Sequence, residues 1–211
     1  MSAGFDSAAF ARATDVSRET LLKLEAYAAL LEKWQRSVNL VSSASLPDAW
    51  RRHFLDSAQL APLILAANRA PRCADLGTGA GFPGMVLAIM GVGTWTLIDS
   101  DRKKLVFLQE AARVTGVSVK LLPSRLEAVE GVIADIVTAR ALAPLGKLLG
   151  YAAPLLAEGG RAFFLKGRDA DAELADARVQ WAFRADTYPS ATDIEAKIIQ
   201  IQDVARAVSG R

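Results

Sequence analysis

The chain has 211 residues, 52% of them hydrophobic and 23% charged, the proportions of one folded domain or one domain with a modest extension, which excludes a mainly disordered polypeptide. A single cysteine, Cys73, and a single histidine, His53, exclude an internal disulfide framework and a zinc site built from Cys and His ligands, and they predict a cytoplasmic protein that holds no metal. The formal charge of +2, from 25 basic and 23 acidic residues, is too small for a polycation that coats any nucleic acid.

The opening residues, MSAGFDSAAFARAT, show no cationic stretch followed by a long apolar segment. No later apolar run approaches the ~18 residues of a membrane span, so a soluble, unexported chain without membrane contact is expected. From Ser17, a capping residue, Leu21, Leu24, Ala28, Leu31 and Gln35 recur at three- and four-residue spacing, which predicts an amphipathic helix. A second helical stretch, PDAWRRHFLDSAQLAPLI, opens at Pro47 and is interrupted at Pro62. Residues 1–70 therefore read as a helical N-terminal extension, or cap.

From Arg72 the texture changes. CADLG (73–77) reads as a strand ending in a glycine loop, PGMVLAIM (83–90) as a helix and TWTLID (94–99) as a strand. RKKLVFLQEAARVTG reads as a helix closed by Gly116. VSVKLL and DIVTARA (135–141) read as strands, PLGKLLGYAAPLLAEGG as one helix ending at the glycine pair, and RAFFLKG as the next strand. The alternation predicts an α/β fold over residues 71–211, a doubly wound, mostly parallel seven-stranded sheet. After Asp169 come a short acidic helix and two strand-like segments, VQWAFRADTY and IEAKIIQIQDV. So short a link between them requires an antiparallel hairpin at the end of the sheet.

Charge is unevenly spread. Residues 71–168 hold 12 basic and 8 acidic side chains and residues 169–211 hold 5 and 8. A polyanionic partner is thus expected against the first two thirds, near Arg51-Arg52, Arg102-Lys103-Lys104 and Lys166-Gly167-Arg168.

The glycine loop Asp75-Leu-Gly77-Thr-Gly79-Ala-Gly81-Phe82-Pro-Gly84 lies between a strand and a helix, where bare backbone admits a ligand closely. Asp99 follows 22 residues after Gly77, at the end of the second strand, where a carboxylate accepts the hydroxyls of a ribose. Together they predict an adenosine-containing cofactor. Met85 stands where a phosphate-binding loop needs lysine, which disfavours triphosphate hydrolysis. A nicotinamide cofactor stays open on the loop alone, but no tyrosine is followed four residues later by lysine. Asp75 suits a cationic ligand better than a pyrophosphate, which favours S-adenosyl-L-methionine.

These residues resemble the RsmG (GidB) methyltransferases of bacterial small-subunit ribosomal RNA. The likeness covers about residues 30–168 and rests on Asn39-Leu40, Arg52-His53-x-Leu55-Asp56-Ser57, the glycine loop with its Gly-x-Pro-Gly ending, Asp99-Ser100, Ser124-Arg125-x-Glu127, Arg140-Ala141 and Leu165-Lys166-Gly167. The resemblance implies methyl transfer from S-adenosyl-L-methionine to N7 of one guanine in the decoding region of 16S ribosomal RNA; the chain is expected to act as a monomer. It implies that Gly77 and Phe82 border the cofactor, that Leu126 and Glu127 hold its adenine end, and that Arg140 stands between cofactor and target. Val41 and Ala139 depart from the family's usual hydroxyl residues, and the sequence past Asp169 matches poorly.

The remaining assignments follow from chemistry. Guanine N7 offers a lone pair and carries no proton, so its methylation calls for alignment and not for a general base. Arg140 can hydrogen-bond guanine O6 or a phosphate. Lys166 and Arg168 are expected phosphate contacts. Arg52, His53 and Asp56 are expected either on the RNA side of the site or pinning the N-terminal helices to the sheet. Asp75, Gly77, Gly79, Phe82, Asp99, Leu126, Glu127 and Arg140 form the expected cofactor set. A small-molecule methyltransferase and a non-catalytic RNA-binding or assembly factor are the rival readings.

Overall fold

The computed structural model describes residues 4–207. Seven strands form one sheet: β1 (Arg72–Leu76), β2 (Thr94–Asp99), β3 (Lys120–Pro123), β4 (Ala134–Arg140), β5 (Leu156–Lys166), β6 (Trp181–Pro189) and β7 (Lys197–Arg206). They lie in the order β3-β2-β1-β4-β5-β7-β6. The first five are parallel, and β7 runs antiparallel to both β5 and β6. The predicted terminal hairpin is present, and its second strand inserts between β5 and β6. Strand order reverses between β1 and β4, which opens a crevice at the C-terminal strand ends, the place where open α/β sheets bind ligands.

The central strands are apolar on both faces because helices cover both. One layer consists of α1 (Ser7–Thr14), α2 (Arg18–Gln35), a π-helical segment (Trp50–Leu55) that continues into the short α3 (Asp56–Ala58), α4 (Ala61–Ala67), α5 (Gly84–Ile89) and α6 (Arg102–Thr115). Phe10, Leu24, Tyr27, Leu31 and Phe54 share a single core with Met85, Phe107 and Leu108. Residues 4–70 are thus part of one helical layer that shares its core with α5 and α6. The opposite layer, α7 (Leu145–Ala152) and α8 (Ala170–Ala177), closes a second core around Val137, Leu148, Leu149, Phe164 and Ile199.

Local signals explain most boundaries. Ser17 Oγ caps α2 by accepting the Thr20 N–H at 3.1 Å. Asp101 caps α6, and Gly116, with φ +67°, ends it. The exception is the predicted long helix from Pro144 to the glycine pair. It stops at Ala152, and β5 has begun by Leu156. Pro154 cannot continue the helical hydrogen bonding, and Glu158-Gly159-Gly160 is absorbed as a register shift between Ala134 and Ile136 of β4 and their partners on β5.

Candidate active site

Sheet register brings three residues from distant parts of the chain to one line. Leu76 pairs with Ile98 on one side and Ala139 on the other. The residues that follow, Gly77, Asp99 and Arg140, therefore stand side by side at the reversal of strand order. Gly77 has φ +59°, and a Cβ there would sit 2.6 Å from Leu142 Cδ1; only glycine meets both the backbone angle and the space. Asp99 binds the loop: Oδ2 accepts the Gly79 N–H and Oδ1 the Asp101 N–H, each at 2.8 Å. Each oxygen keeps a lone pair for a ligand hydroxyl.

Asp75 lies deeper than the sequence implies. It is fully buried, and its carboxylate accepts hydrogen bonds from Thr78 Oγ1 (2.6 Å), Thr138 Oγ1 (2.8 Å) and the Gly84 N–H (3.1 Å). Burial pushes its pKa up to about 6 against the lowering effect of those bonds. Asp75 shapes the glycine loop from beneath and acts on a ligand only through its charge. Phe82 is buried too, among Tyr27, Phe54 and His53. From α2, Tyr27 donates its hydroxyl proton to the Ala80 carbonyl, so the N-terminal layer grips the loop directly.

Two cavities open on the rim and share a wall. The first, about 400 Å³, is lined by Gly77, Asp99, Ser100, Leu126, Glu127, Arg140, Leu142 and Tyr151 among others. Glu127 Oε1 accepts the Tyr151 hydroxyl at 2.6 Å, a partner that sequence spacing did not suggest. The second, about 700 Å³, is bounded by Arg51, Arg52, Asp56, Lys166, Ser190, Thr192 and Lys197 among others. Arg140 and Ala141–Ala143 border both. Each volume is in the range of small-ligand sites.

Arg140 is the half-buried element of that shared wall. Its Nη1 donates to the Arg52 carbonyl (3.1 Å) and to His53 Nδ1 (3.0 Å). Its Cζ lies 5.2 Å from the Phe82 ring centroid. Because Nδ1 accepts, His53 carries its proton on Nε2 and donates it to Ser45 Oγ at 2.9 Å. Burial first, then the charges of Arg140 and Arg52, push the imidazole pKa down to about 3. His53 is 6% exposed and stacked on Phe82. Both nitrogens are engaged, so it orients Arg140 and does not meet solvent.

The basic rim divides into paired and free residues. Lys166 Nζ lies 2.6 Å from Glu173 Oε2 and 2.8 Å from the Ala143 carbonyl, with its side chain 9% exposed. It is an internal tie between β5, α8 and the loop after β4. Among the described residues, Arg168 makes only an open 3.7 Å pair with Glu195. Arg51 and Arg52 are exposed. Asp56, expected with Arg52 and His53 either on the RNA side of the site or as a pin for the N-terminal helices, stands in the second cavity with Oδ2 3.6 Å from Arg140 Nη1.

A family model described as rRNA small subunit methyltransferase G matches residues 20–199. The chain belongs to this family. A curated relative named ribosomal RNA small subunit methyltransferase G from Paramagnetospirillum magneticum is 51% identical over 90% of this chain and 92% of its own. Another of the same name from Rhodospirillum rubrum is 49% identical over 94% and 98%. Among solved structures, the N-methyltransferase NodS from Bradyrhizobium japonicum, in complex with S-adenosyl-L-homocysteine, superposes with a TM-score of 0.57 at 14% identity, covering 83% of this chain and 96% of its own. That likeness bears on the fold alone: a class I, Rossmann-like methyltransferase domain. For a methyltransferase G chain, the bare backbone at Gly77, the half-used carboxylate of Asp99 and the adjoining cavity match the shape and donor needs of an adenosyl cofactor.

Proposed function

We propose that this chain transfers a methyl group from S-adenosyl-L-methionine to N7 of a specific guanine of 16S ribosomal RNA, acting as a monomer in the cytoplasm on rRNA or the small subunit. The observation that carries the reading is the alignment of Gly77, Asp99 and Arg140 on three neighbouring strand ends, with a second cavity beginning at Arg140. Family membership supports the rRNA substrate. Among the described residues, no helix is long and apolar enough to cross a membrane.

Gly77 and Asp99 would hold the cofactor's backbone-facing side and ribose, and Leu126 and Glu127 its adenine end. When bound, the cofactor supplies a sulfonium methyl: the N7 lone pair forms the new N–C bond as the C–S bond breaks, leaving S-adenosylhomocysteine and a 7-methylguanine that bears the positive charge. N7 carries no proton to remove, so the chain's task is orientation, an effect that can reach roughly 7 to 11 kcal/mol. Arg140 serves it as a fixed donor at the junction, held by the Arg52 carbonyl and His53. Arg52 and Arg168 would meet phosphates, and Arg51 beside them. The test is transfer of labelled methyl to small subunits, naked rRNA and a metabolite pool in parallel. Label in either RNA sample supports the reading; label in metabolites alone, or nowhere, rejects it.

A further inference from the structure

N7 chemistry does not choose the purine, because adenine and guanine both present an N7 lone pair in the major groove. Discrimination must come from the neighbouring edge. Guanine offers an O6 acceptor beside an N1–H donor, whereas adenine offers an amino donor beside a bare N1.

The second cavity holds the complementary pair. Arg140 Nη1 is occupied by the Arg52 carbonyl and His53, while its Nε and Nη2 make no hydrogen bond among the described residues. Beside it, Asp56 Oδ1 accepts from Gln59 Nε2 (2.8 Å) and Thr192 Oγ1 (2.9 Å). Asp56 Oδ2 faces Arg140 Nη1 at 3.6 Å, too far for a hydrogen bond, so this oxygen keeps its acceptor capacity. Both side chains are held in the same cavity wall, 19% and 15% exposed. Ala191 N–H donates to Gln59 Oε1 at 2.8 Å, which ties the loop between β6 and β7 to the same carboxylate. A donor and an acceptor fixed side by side in a half-buried wall form a template for O6 and N1–H.

Resting on the function proposed above, we infer that Asp56 is the specificity-determining residue: it accepts the N1–H of the target guanine while Arg140 donates to O6. Adenine meets two like-with-like contacts and is rejected by unpaired polar groups, the discriminating device available when shape alone is similar. Asp56 also acts in the transfer. Methylation at N7 leaves a positive charge on the purine, and a carboxylate on N1–H stabilises that charge as it develops. It offsets the guanidinium that would otherwise face a cation.

The experiment compares 16S rRNA carrying guanine, adenine or 1-methylguanine at the mapped target position, with wild-type enzyme and Asp56→Asn. Wild type is expected to lose at least tenfold in kcat/KM on 1-methylguanine, which lacks the N1 proton, and more on adenine. Asp56→Asn is expected to lower kcat on guanine roughly ten- to a hundredfold and to narrow the guanine-to-adenine ratio by a similar factor. Its affinity for S-adenosylhomocysteine should stay within twofold. Full wild-type activity on 1-methylguanine overturns the inference without any variant, and so does an unchanged guanine-to-adenine ratio in a folded Asp56→Asn. Failure of the wild type to methylate the guanine substrate overturns the proposed function, and this inference with it.

Discussion

Asp99 and His53 show how one side chain can carry both fold and site. Asp99 holds two loop N–H groups at 2.8 Å and keeps lone pairs for a ribose. Asp99→Ala is expected to weaken binding of S-adenosylmethionine roughly ten- to a hundredfold, the worth of one or two hydrogen bonds to a charged acceptor, measured by titration calorimetry. RNA affinity should move far less. His53 bears on acid stability. Its folded pKa of about 3 lies below the ordinary value of 6.5, so the native state favours the neutral ring. That contribution is complete above pH 6.5 and is lost as the pH falls toward 3, at up to about 1.4 kcal/mol per unit. Asp75, raised to about 6, works in the opposite sense between pH 6 and its ordinary 3.8, so the wild-type profile alone conceals the effect. Comparison with His53→Gln isolates it: denaturant melts should find the variant less stable at pH 7 and the gap closing toward pH 4. A gap independent of pH would mean that His53 titrates normally.

Among elements, the junction of α2 with the glycine loop decides how rigid the cofactor floor is. Tyr27 is buried in a cluster with Phe54, Phe82 and Phe107 and donates to the Ala80 carbonyl. A Cβ on Gly81 would stand 2.6 Å from its hydroxyl, so helix and loop fit only with bare backbone at that point. Tyr27→Phe leaves the carbonyl without its donor and should reduce stability by about 1 to 3 kcal/mol, with a several-fold loss of cofactor affinity. Thermal melts and calorimetry read the two effects separately. The elements themselves were largely legible in sequence. The strand limits at Thr94–Asp99 and the caps Ser17 and Gly116 follow from local chemistry, and the structure adds Asp101 as the cap of α6. The helix was overextended past Ala152 although Pro154 marks its break; what LLAEGG does not signal is that a strand starts there. The π-helical Trp50–Leu55 was read simply as helix. What the elements do to one another also escaped the sequence. The burial of Asp75 beneath Thr78 and Thr138, the internal pairing of Lys166 with Glu173 and the Tyr151–Glu127 bond depend on register and packing between segments far apart in the chain.

The whole molecule presents a neutral body with a local basic rim. Arg51 and Arg52 line the larger cavity, and Arg168 follows Gly167 of its wall, after Lys166 is consumed internally. The double variant Arg51→Ala/Arg52→Ala should weaken binding to rRNA uniformly across sequences. It should also reduce the slope of log affinity against log salt by roughly one for each residue, as filter binding across a salt series would show. An unchanged slope would place the RNA elsewhere. Gly77, Asp99 and Arg140 were readable as site candidates because each sits at a strand end in a patterned sequence, and the sheet register sets them side by side. Asp56 was readable only as an RNA-side residue or a helix pin, because its approach to Arg140 depends on a residue 84 positions later in the chain. The decisive measurement is the identity of the methylated nucleoside. Small-subunit rRNA is incubated with the enzyme and S-adenosylmethionine bearing a trideuterated methyl group, then digested and resolved by mass spectrometry. The mass increment should fall on 7-methylguanosine from a single position. Deuterium on any other nucleoside or atom, or none in the RNA, would contradict it.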